Sequence, residues 1–555
     1  MQPSLQGKPE PAPLFTDYPQ NASSISSRQD TLNPCDEILP PAHTNRTLVL
    51  CFDGTGDQFD TDNSNIVQLF SMLVKDSPAL QMVYYQAGIG TYTIPEMATP
   101  AMAKLSKTVD MMIGSHLNAH VMGGYEFLMQ NYDAGDKICI FGFSRGAYTA
   151  RALAGMIHKV GLLPRCNHQQ VPFAYNMYSR DDEEGWALSS KFKKAFSINV
   201  DIEFVGVWDT VSSVGLIPKR LPFTKANDSI KYFRHAISLD EHRVRFKPSL
   251  WIRATEDHKK CGVQREHMPR PFKKFIPKVQ ELHSRNSPDS EATKKSHHRH
   301  ESQDQMEQLF ATADAEPIRE TDVDEVWFAG CHCDVGGGSV QNGTRNSLAR
   351  IPLRWMIREL FKLDIGIIFH RNMFTKIGMD PKTLYPVSVA RQPRPPPIYQ
   401  TPPAPSGSGK LTIKDRTTPK PQIVTDDPAM IVYSDGSAFV SEELEDLADA
   451  TCPMYDQLRL ARYWWILEVI PQMLHYQDDK SNNLVDEYTC VISCFIYYHA
   501  DFDGRVNMGR GRHIQRQSHG IKIHRSVKIR MEADNLTGGK YWPKAKLKVE
   551  PQWID

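Results

Sequence analysis

Four short runs, "TLVLCF" (47–52), "KICIFGF" (137–143), "IEFVGVW" (202–208) and "VWFAG" (326–330), are predominantly apolar on both parities and end at a polar or glycine corner. A strand with one face in water alternates apolar and polar side chains. One that is apolar on both faces must be covered on both, as in a parallel sheet between two helical layers. Helical spacing fills the gaps: "NSNIVQLFSMLV", opened by Asn/Ser caps, "HVMGGYEFLMQNY", "RGAYTARALAGMIHKVG", closed by Gly161, and "SLARIPLRWMIREL". "MVYYQAGIGT" supplies a further strand. The order predicts an α/β chain with a mostly parallel sheet and helices on both faces.

The remainder bounds this core. Residues 1–45 are polar, Pro/Ser/Asn-rich and without an apolar run, which predicts a disordered lead-in and no secretory signal. The catalytic unit is expected over 46–375, with a flexible charged insertion at 255–320 and a Pro-rich linker or loop at 391–424. From about 430 to 555 the pattern turns to aromatic helices and then a basic region. "ARYWWILEVIPQML" is interrupted by Arg462, Glu468 and Pro471, so it is not expected to span a bilayer. Ten cysteines without regular spacing do not form a disulfide framework, and the chain reads as intracellular and cytoplasmic. Lys+Arg and Asp+Glu balance at 65 each, so net charge favours no class of partner.

The strongest chemical signal is Gly142-Phe143-Ser144-Arg145-Gly146. It sits between the strand "KICIF" and the helix "AYTARALAGMI", where a sharp turn can hold a serine above the strand end, and the small Gly142 and Gly146 let helix and strand approach. An ordinary tight turn is the competing reading. A serine hydroxyl needs a base, and the base needs an acid to orient it. In this architecture the chain order is Ser, Asp or Glu, then His, each at a strand end. Asp209 follows "EFVGVW" and His332 follows "VWFAGC", so Ser144, Asp209 and His332 are the expected catalytic set. Asp240 and Asp334 are rival acids, and His235, His242 and His524 rival bases.

The corner Asp53-Gly54-Thr55 admits two chemistries. A phosphatase of the haloacid dehalogenase type would need a nucleophilic aspartate two residues before Asp53, but that position is Cys51. Acyl transfer instead needs amides aimed at a developing oxyanion, one after the nucleophile and one from an earlier strand corner. Arg145 is expected to supply the first and Gly54 or Thr55 the second, with Asp53 bracing the turn.

Together these segments resemble the α/β-hydrolase-like domain shared by bacterial type VI secretion phospholipase effectors and many uncharacterised fungal proteins. The motifs are "LVLCFDGTGD", "NIVQLF", "YYQAGIGT", "GFSRGAYTARALAGMI", "VWDTVSSVG", "FRHAISLDEHRVRF" and "VWFAGCHCDVGGG", over roughly residues 45–365. The resemblance implies a serine hydrolase with Ser144, Asp209 and His332 as triad, acting on esters and in some members on phospholipids. "RYWWILEVIP" and the basic segment after it look like the fungal branch, which bears on substrate more than on chemistry.

Other signals are weaker. Cys331-His332-Cys333-Asp334 lacks a second ligand pair for structural zinc, and "HHRH" at 297–300 reads as solvated loop. No metal or cofactor is expected. Residues 505–548 carry twelve Lys/Arg against Glu532 and Asp534. With the aromatic run upstream, they suggest peripheral contact with anionic membrane, although a solvated basic face with the Trp464/Trp465 helix on the core is the preferred reading. No nucleic-acid module accompanies them. The leading expectation is a serine esterase or lipase on ester or lipid substrates. The alternative is a catalytically silent interaction protein keeping the fold.

Overall fold

The computed structural model describes residues 38–40, 45–55, 57–89, 117–211, 220–252, 307, 320–391, 439, 441–468, 472–477, 484–489, 509–534, 536 and 539–555. The expected lead-in, charged insertion and Pro-rich stretch lie almost wholly outside the described residues. Eight strands form the main sheet: β1 (Thr47–Phe52), β2 (Gln81–Gln86), β3 (Lys137–Phe143), β4 (Ile202–Trp208), β5 (Ile230–Ser238), β6 (Asp322–Phe328), β7 (Lys522–His524) and β8 (Gln552–Ile554). Their order is β8-β7-β6-β5-β4-β3-β1-β2, and every pairing is parallel.

Strand parity decides what each face meets. Leu48, Leu50 and Phe52 of β1, Ile138 and Ile140 of β3, and Val205 and Val207 of β4 pack in one cluster with α2 (Leu117–Asn131) and α3 (Ser144–Val160). Val49, Cys51, Cys139, Phe141, Phe204 and Trp208 point the other way, into a cluster with α1 (Asn65–Met72) and residues between Ile351 and Leu360 of the helix Arg350–Lys362. Each such side chain taken from water stabilises by about 1.5–3 kcal/mol, so both layers are needed to hold the sheet. On the first face, α4 (Val171–Ser179) and α5 (Glu183–Phe196) cover α3 from outside, and all 17 residues of α3 are buried. That enclosure accounts for its small residues. Two of its buried cations are taken up by carbonyls: Arg151 donates to Thr224 O and Ser249 O, and Lys159 to Tyr178 O and Arg180 O.

Two parts of the sheet differ from the sequence expectation. β5 carries Lys231, Arg234 and His235 and has no apolar signature, yet it is central. Its polar groups are matched by neighbouring elements: Arg234 pairs with Glu359 of the helix over 350–362 and Asp322 of β6, and His235 hydrogen-bonds Glu325 of β6. β7, in the late basic segment, and β8, just after it, are three residues each and extend the sheet beyond β6. The aromatic run forms the short helix Trp465–Glu468 and the strand Gln472–Gln477, paired antiparallel to Leu484–Thr489.

Buried ion pairs tie the late chain down. After β6 come α6 (His332–Gly336) and α7 (Arg350–Lys362), then α8 (Glu442–Ala450) and α9 (Arg525–Glu532). The α8 carboxylates Glu442, Glu445, Asp446 and Asp449 take Arg358, Arg350 and Arg354 of α7 and Arg525 of α9. Removing one member would strand a buried charge, at a cost of about 3–5 kcal/mol. The basic segment is accordingly not the uniformly solvated face expected. Arg512, Arg525 and Arg530 are buried and Lys544 pairs with Asp456, while Lys540, Lys546 and Lys548 stay exposed. Among the described residues no helix is long and apolar enough to cross a membrane.

Candidate active site

Register brings the expected residues to one end of the sheet. Phe52 of β1 pairs with Gly142 of β3, and Phe143 of β3 with Trp208 of β4. Continuing each strand sets Gly54, Ser144 and Asp209 at a common level past the strand ends. Both polar residues leave the strand through backbone that side chains rarely adopt, with φ of +57° at Ser144 and +40° at Asp209. The tight turn at Ser144 depends on its glycines. A Cβ on Gly142 would lie 2.5 Å from Gly146 O, and one on Gly146 only 2.3 Å from Asp53 O.

His332 arrives from the other side, as the first residue of α6, four residues beyond the end of β6. Its Nε2 is 2.8 Å from Ser144 Oγ and its Nδ1 2.5 Å from Asp209 Oδ2. The ring is gripped by Phe143 and Phe246, with centroids 4.8 and 4.9 Å away. The His332 N–H donates to Glu241 Oε2, which is itself paired with Arg243. Burial lowers the imidazole below its ordinary 6.5, against the pull of Asp209, so its resting form is a neutral base. Burial would raise the Asp209 carboxyl, but Arg512 and His332 outweigh it and hold the group well below the usual carboxylate range.

The rivals are engaged elsewhere. Asp240 accepts from Gly330 N–H, Tyr541 O–H and Lys544 N–H. Asp334 accepts from Cys331 N–H and Tyr455 N–H, and burial pushes it up to about 7. His235 accepts from Thr210 N–H and faces Glu325. His242 lies between Asp456, Lys544 and Gly509 O, and His524 caps α9.

At the opening corner, Asp53 accepts from Ser64 Oγ at 2.6 Å, from Tyr85 O–H at 2.8 Å and from Gly54 N–H at 2.8 Å. It therefore ties β1, β2 and the cap of α1 together. This engages the Gly54 amide, one of the two candidates for the second oxyanion donor. Thr55 differs: its Oγ1 is buried and has no hydrogen-bond partner among the described residues. The Arg145 side chain is buried, and that burial pushes its guanidinium down to about 10 against the attraction of Asp57. Cys51 is packed in the core beneath the corner.

Sequence reasoning did not single out Arg512, Glu241, Arg243, Ser238 or Phe246. Ser238, Glu241, Arg243 and Phe246 fall in "FRHAISLDEHRVRF", and Arg512 lies in the basic segment. The available signal was the pair Gly509 and Gly511 around Arg510. Gly509 has φ +71°, and a Cβ on Gly511 would lie 2.1 Å from Lys544 O, so the chain is threading inward there rather than lying on a surface. Among the described residues no cluster of metal-ligating side chains occurs.

Comparison with known proteins gives a family match over residues 46–359, to the model described as "T6SS, Phospholipase effector Tle1-like, catalytic domain". The uncharacterised protein YEL023C of Saccharomyces cerevisiae is 30% identical over 402 residues, 59% of this chain and 59% of the yeast protein, so the match spans less than two thirds of that relative. Among solved structures, an uncharacterised protein from Pseudomonas aeruginosa is 17% identical, with 58% of this chain and 46% of that one covered and a TM-score of 0.32. The Tle1 effector bound to the VgrG spike of the type 6 secretion system is 19% identical, with 38% and 49% covered and a TM-score of 0.19. Neither superposition is close enough to argue from.

Proposed function

This chain belongs to the Tle1-like family of type VI secretion phospholipase effector catalytic domains, and from that membership we propose that it is a serine hydrolase cleaving carboxylic ester bonds of lipids. One observation carries the reading: His332 reaches Ser144 Oγ at 2.8 Å and Asp209 Oδ2 at 2.5 Å, a base within reach of a nucleophile and held by an acid.

In this mechanism Ser144 Oγ forms a bond to the acyl carbon while its proton passes to His332 Nε2. Asp209 holds the Nδ1–H and stabilises the imidazolium. The carbon–oxygen bond to the leaving alcohol then breaks, and His332 returns the proton to that alcohol. Water repeats the sequence on the acyl-enzyme and releases the acid. The Arg145 amide at the start of α3 and the Thr55 corner, whose Oγ1 has no hydrogen-bond partner among the described residues, are assigned to the oxyanion. Gly54 is assigned to shaping the corner instead, since its amide is held by Asp53. A triad of this kind needs no metal. The lipid surface is met by Lys540, Lys546 and Lys548 with Trp542, which is 65% exposed.

The test is hydrolysis of short activated esters and of phospholipid vesicles by purified full-length protein. Ser144→Ala, folded by circular dichroism, should lose about 10³-fold or more in kcat. A fluorophosphonate should label Ser144 in the parent. Parental turnover in Ser144→Ala would refute the nucleophile assignment, and an unlabelled, inert parent would return the silent interaction protein.

A further inference from the structure

The side chain that most fully engages Asp209 comes from outside the matched family segment. Residues 46–359 contain Ser144, Asp209 and His332, but Arg512 lies 303 positions beyond Asp209 in the chain. Its guanidinium is buried and uses all five N–H groups. Nη1 donates to Asp209 Oδ1 at 2.5 Å and to Ser238 O at 3.0 Å. Nη2 donates to Asp209 Oδ2 at 2.9 Å and to Phe246 O at 2.5 Å, and Nε donates to Phe246 O at 3.1 Å. We propose that Arg512 is a positioning residue of the hydrolase, so that the catalytic centre is completed by the late segment of the chain. The proposal rests on the serine-hydrolase reading above.

The chemistry is specific to a guanidinium. A carboxylate that orients a base must present one oxygen in the imidazole plane, and a buried carboxylate left on one hydrogen bond can rotate. Arg512 forks both oxygens at once, which fixes that plane as no single donor can. Ser238 N–H adds a bond to Oδ1 at 2.9 Å. Oδ2 is thus left aimed at His332 Nδ1. The same guanidinium holds the carbonyl of Phe246, whose ring packs edge-on against the imidazole at 4.9 Å. Arg512 therefore sets both the acid that orients His332 and one wall of its pocket.

Charge gives a second consequence. The groups around His332 are Asp209 from β4, Glu241 and Arg243 from the segment after β5, and Arg512 behind Asp209, with Lys247 near Arg512. Arg512 offsets the Asp209 charge in a buried site, which disfavours the imidazolium and keeps His332 free to accept a proton. Removing the cation while leaving Asp209 makes His332 easier to protonate. The acid limb of activity then moves to higher pH.

The late segment is built to deliver this side chain. Gly509 accepts His242 Nδ1–H at 2.8 Å through its carbonyl and donates to Glu468, so it is anchored on both sides. Gly511 lets the backbone pass against Lys544 where no Cβ fits. Lys544 in turn bonds Asp456 and His242. The route is fixed one residue before Arg512 enters the core.

The experiment compares full-length parent, Arg512→Met, Arg512→Lys and Ser144→Ala on one activated ester, with parent and arginine-variant rates normalised to fluorophosphonate-titrated sites and the Ser144→Ala rate to protein concentration. Arg512→Met should lower kcat by about 10- to 100-fold with KM within about threefold, as losing a partner that orients a catalytic group does. The acid limb of its kcat/KM profile should shift to higher pH. Arg512→Lys should keep the limb near the parental position, because the charge remains, while kcat stays low, because one ammonium cannot fork both oxygens. A purely structural role would reduce the number of titrated sites and leave kcat per site and the limb unmoved, and that result overturns the proposal. If Arg512→Met does not fold, Arg512→Lys decides: parental kcat per site overturns the proposal and a reduced kcat with an unmoved limb upholds it. Parental turnover in Ser144→Ala would sink the hydrolase reading instead, whatever the arginine variants do.

Discussion

Replacing Asp53 by asparagine and by alanine separates a brace from a reacting group. The carboxylate is 2% exposed and accepts three hydrogen bonds, two on Oδ1 from Gly54 N–H and Ser64 Oγ and one on Oδ2 from Tyr85 O–H. Asparagine can keep its carbonyl oxygen at the Oδ1 position and lose neither of those bonds. Its amide nitrogen then donates to the Tyr85 oxygen. Burial already raises this carboxyl above its ordinary value, so the neutral amide is not foreign to the site. Asp53→Asn should therefore cost about 1 kcal/mol or less in urea unfolding and leave kcat within about tenfold. Alanine strands three donors. Each unsatisfied buried donor costs about 1–3 kcal/mol, and water entering the space relieves part of it, so Asp53→Ala should lose about 3–5 kcal/mol. It should also lower kcat by about tenfold or more, because the Thr55 corner next to it is released. The measurements are urea midpoints and ester turnover, with and without EDTA. A folded Asp53→Asn as inactive as Asp53→Ala, with turnover reversibly abolished by EDTA, would refute the brace. It would give Asp53 a direct part in metal-dependent chemistry.

Two further outcomes follow from buried and exposed charge. Burial holds Asp334 up to about 7, against 3.8 for an ordinary aspartate, so the folded chain keeps a proton that the unfolded chain releases. Its contribution is full below pH 3.8 and is lost as pH rises toward 7, so the urea midpoint of Asp334→Asn should gain on the parent across that window; a difference constant with pH would refute this. Lys546→Glu/Lys548→Glu should weaken co-sedimentation with anionic but not neutral vesicles and leave turnover of a soluble ester unchanged, whereas unaltered sedimentation would remove this face from lipid contact.

Much of the sheet and the three residues at its end were legible because the signals are local. Leu48 and Val49 point to opposite faces and both are apolar, so β1 could be read as covered on both sides from six residues. Gly142 marks its turn because a Cβ there meets the backbone of Gly146, four residues on. Asp209 and His332 were singled out by their places after apolar runs, and the fold sets them within hydrogen-bond distance of each other. Tertiary structure alone decided the rest. β5 was hidden by Lys231, Arg234 and His235, which are accommodated because Glu203, Glu359, Asp322 and Glu325 come from other elements to meet them. β7 and β8 are too short for a period of two to register, and they become strands only by joining a sheet already built. Gly54 and Thr55 looked equivalent until the position of Asp53 engaged one amide. Arg512, in a stretch that reads as a basic surface, is buried against Asp209. Periodicity reports which side of an element faces the core, but a charge is paired by whatever the whole fold brings beside it, and that partner can lie hundreds of residues away.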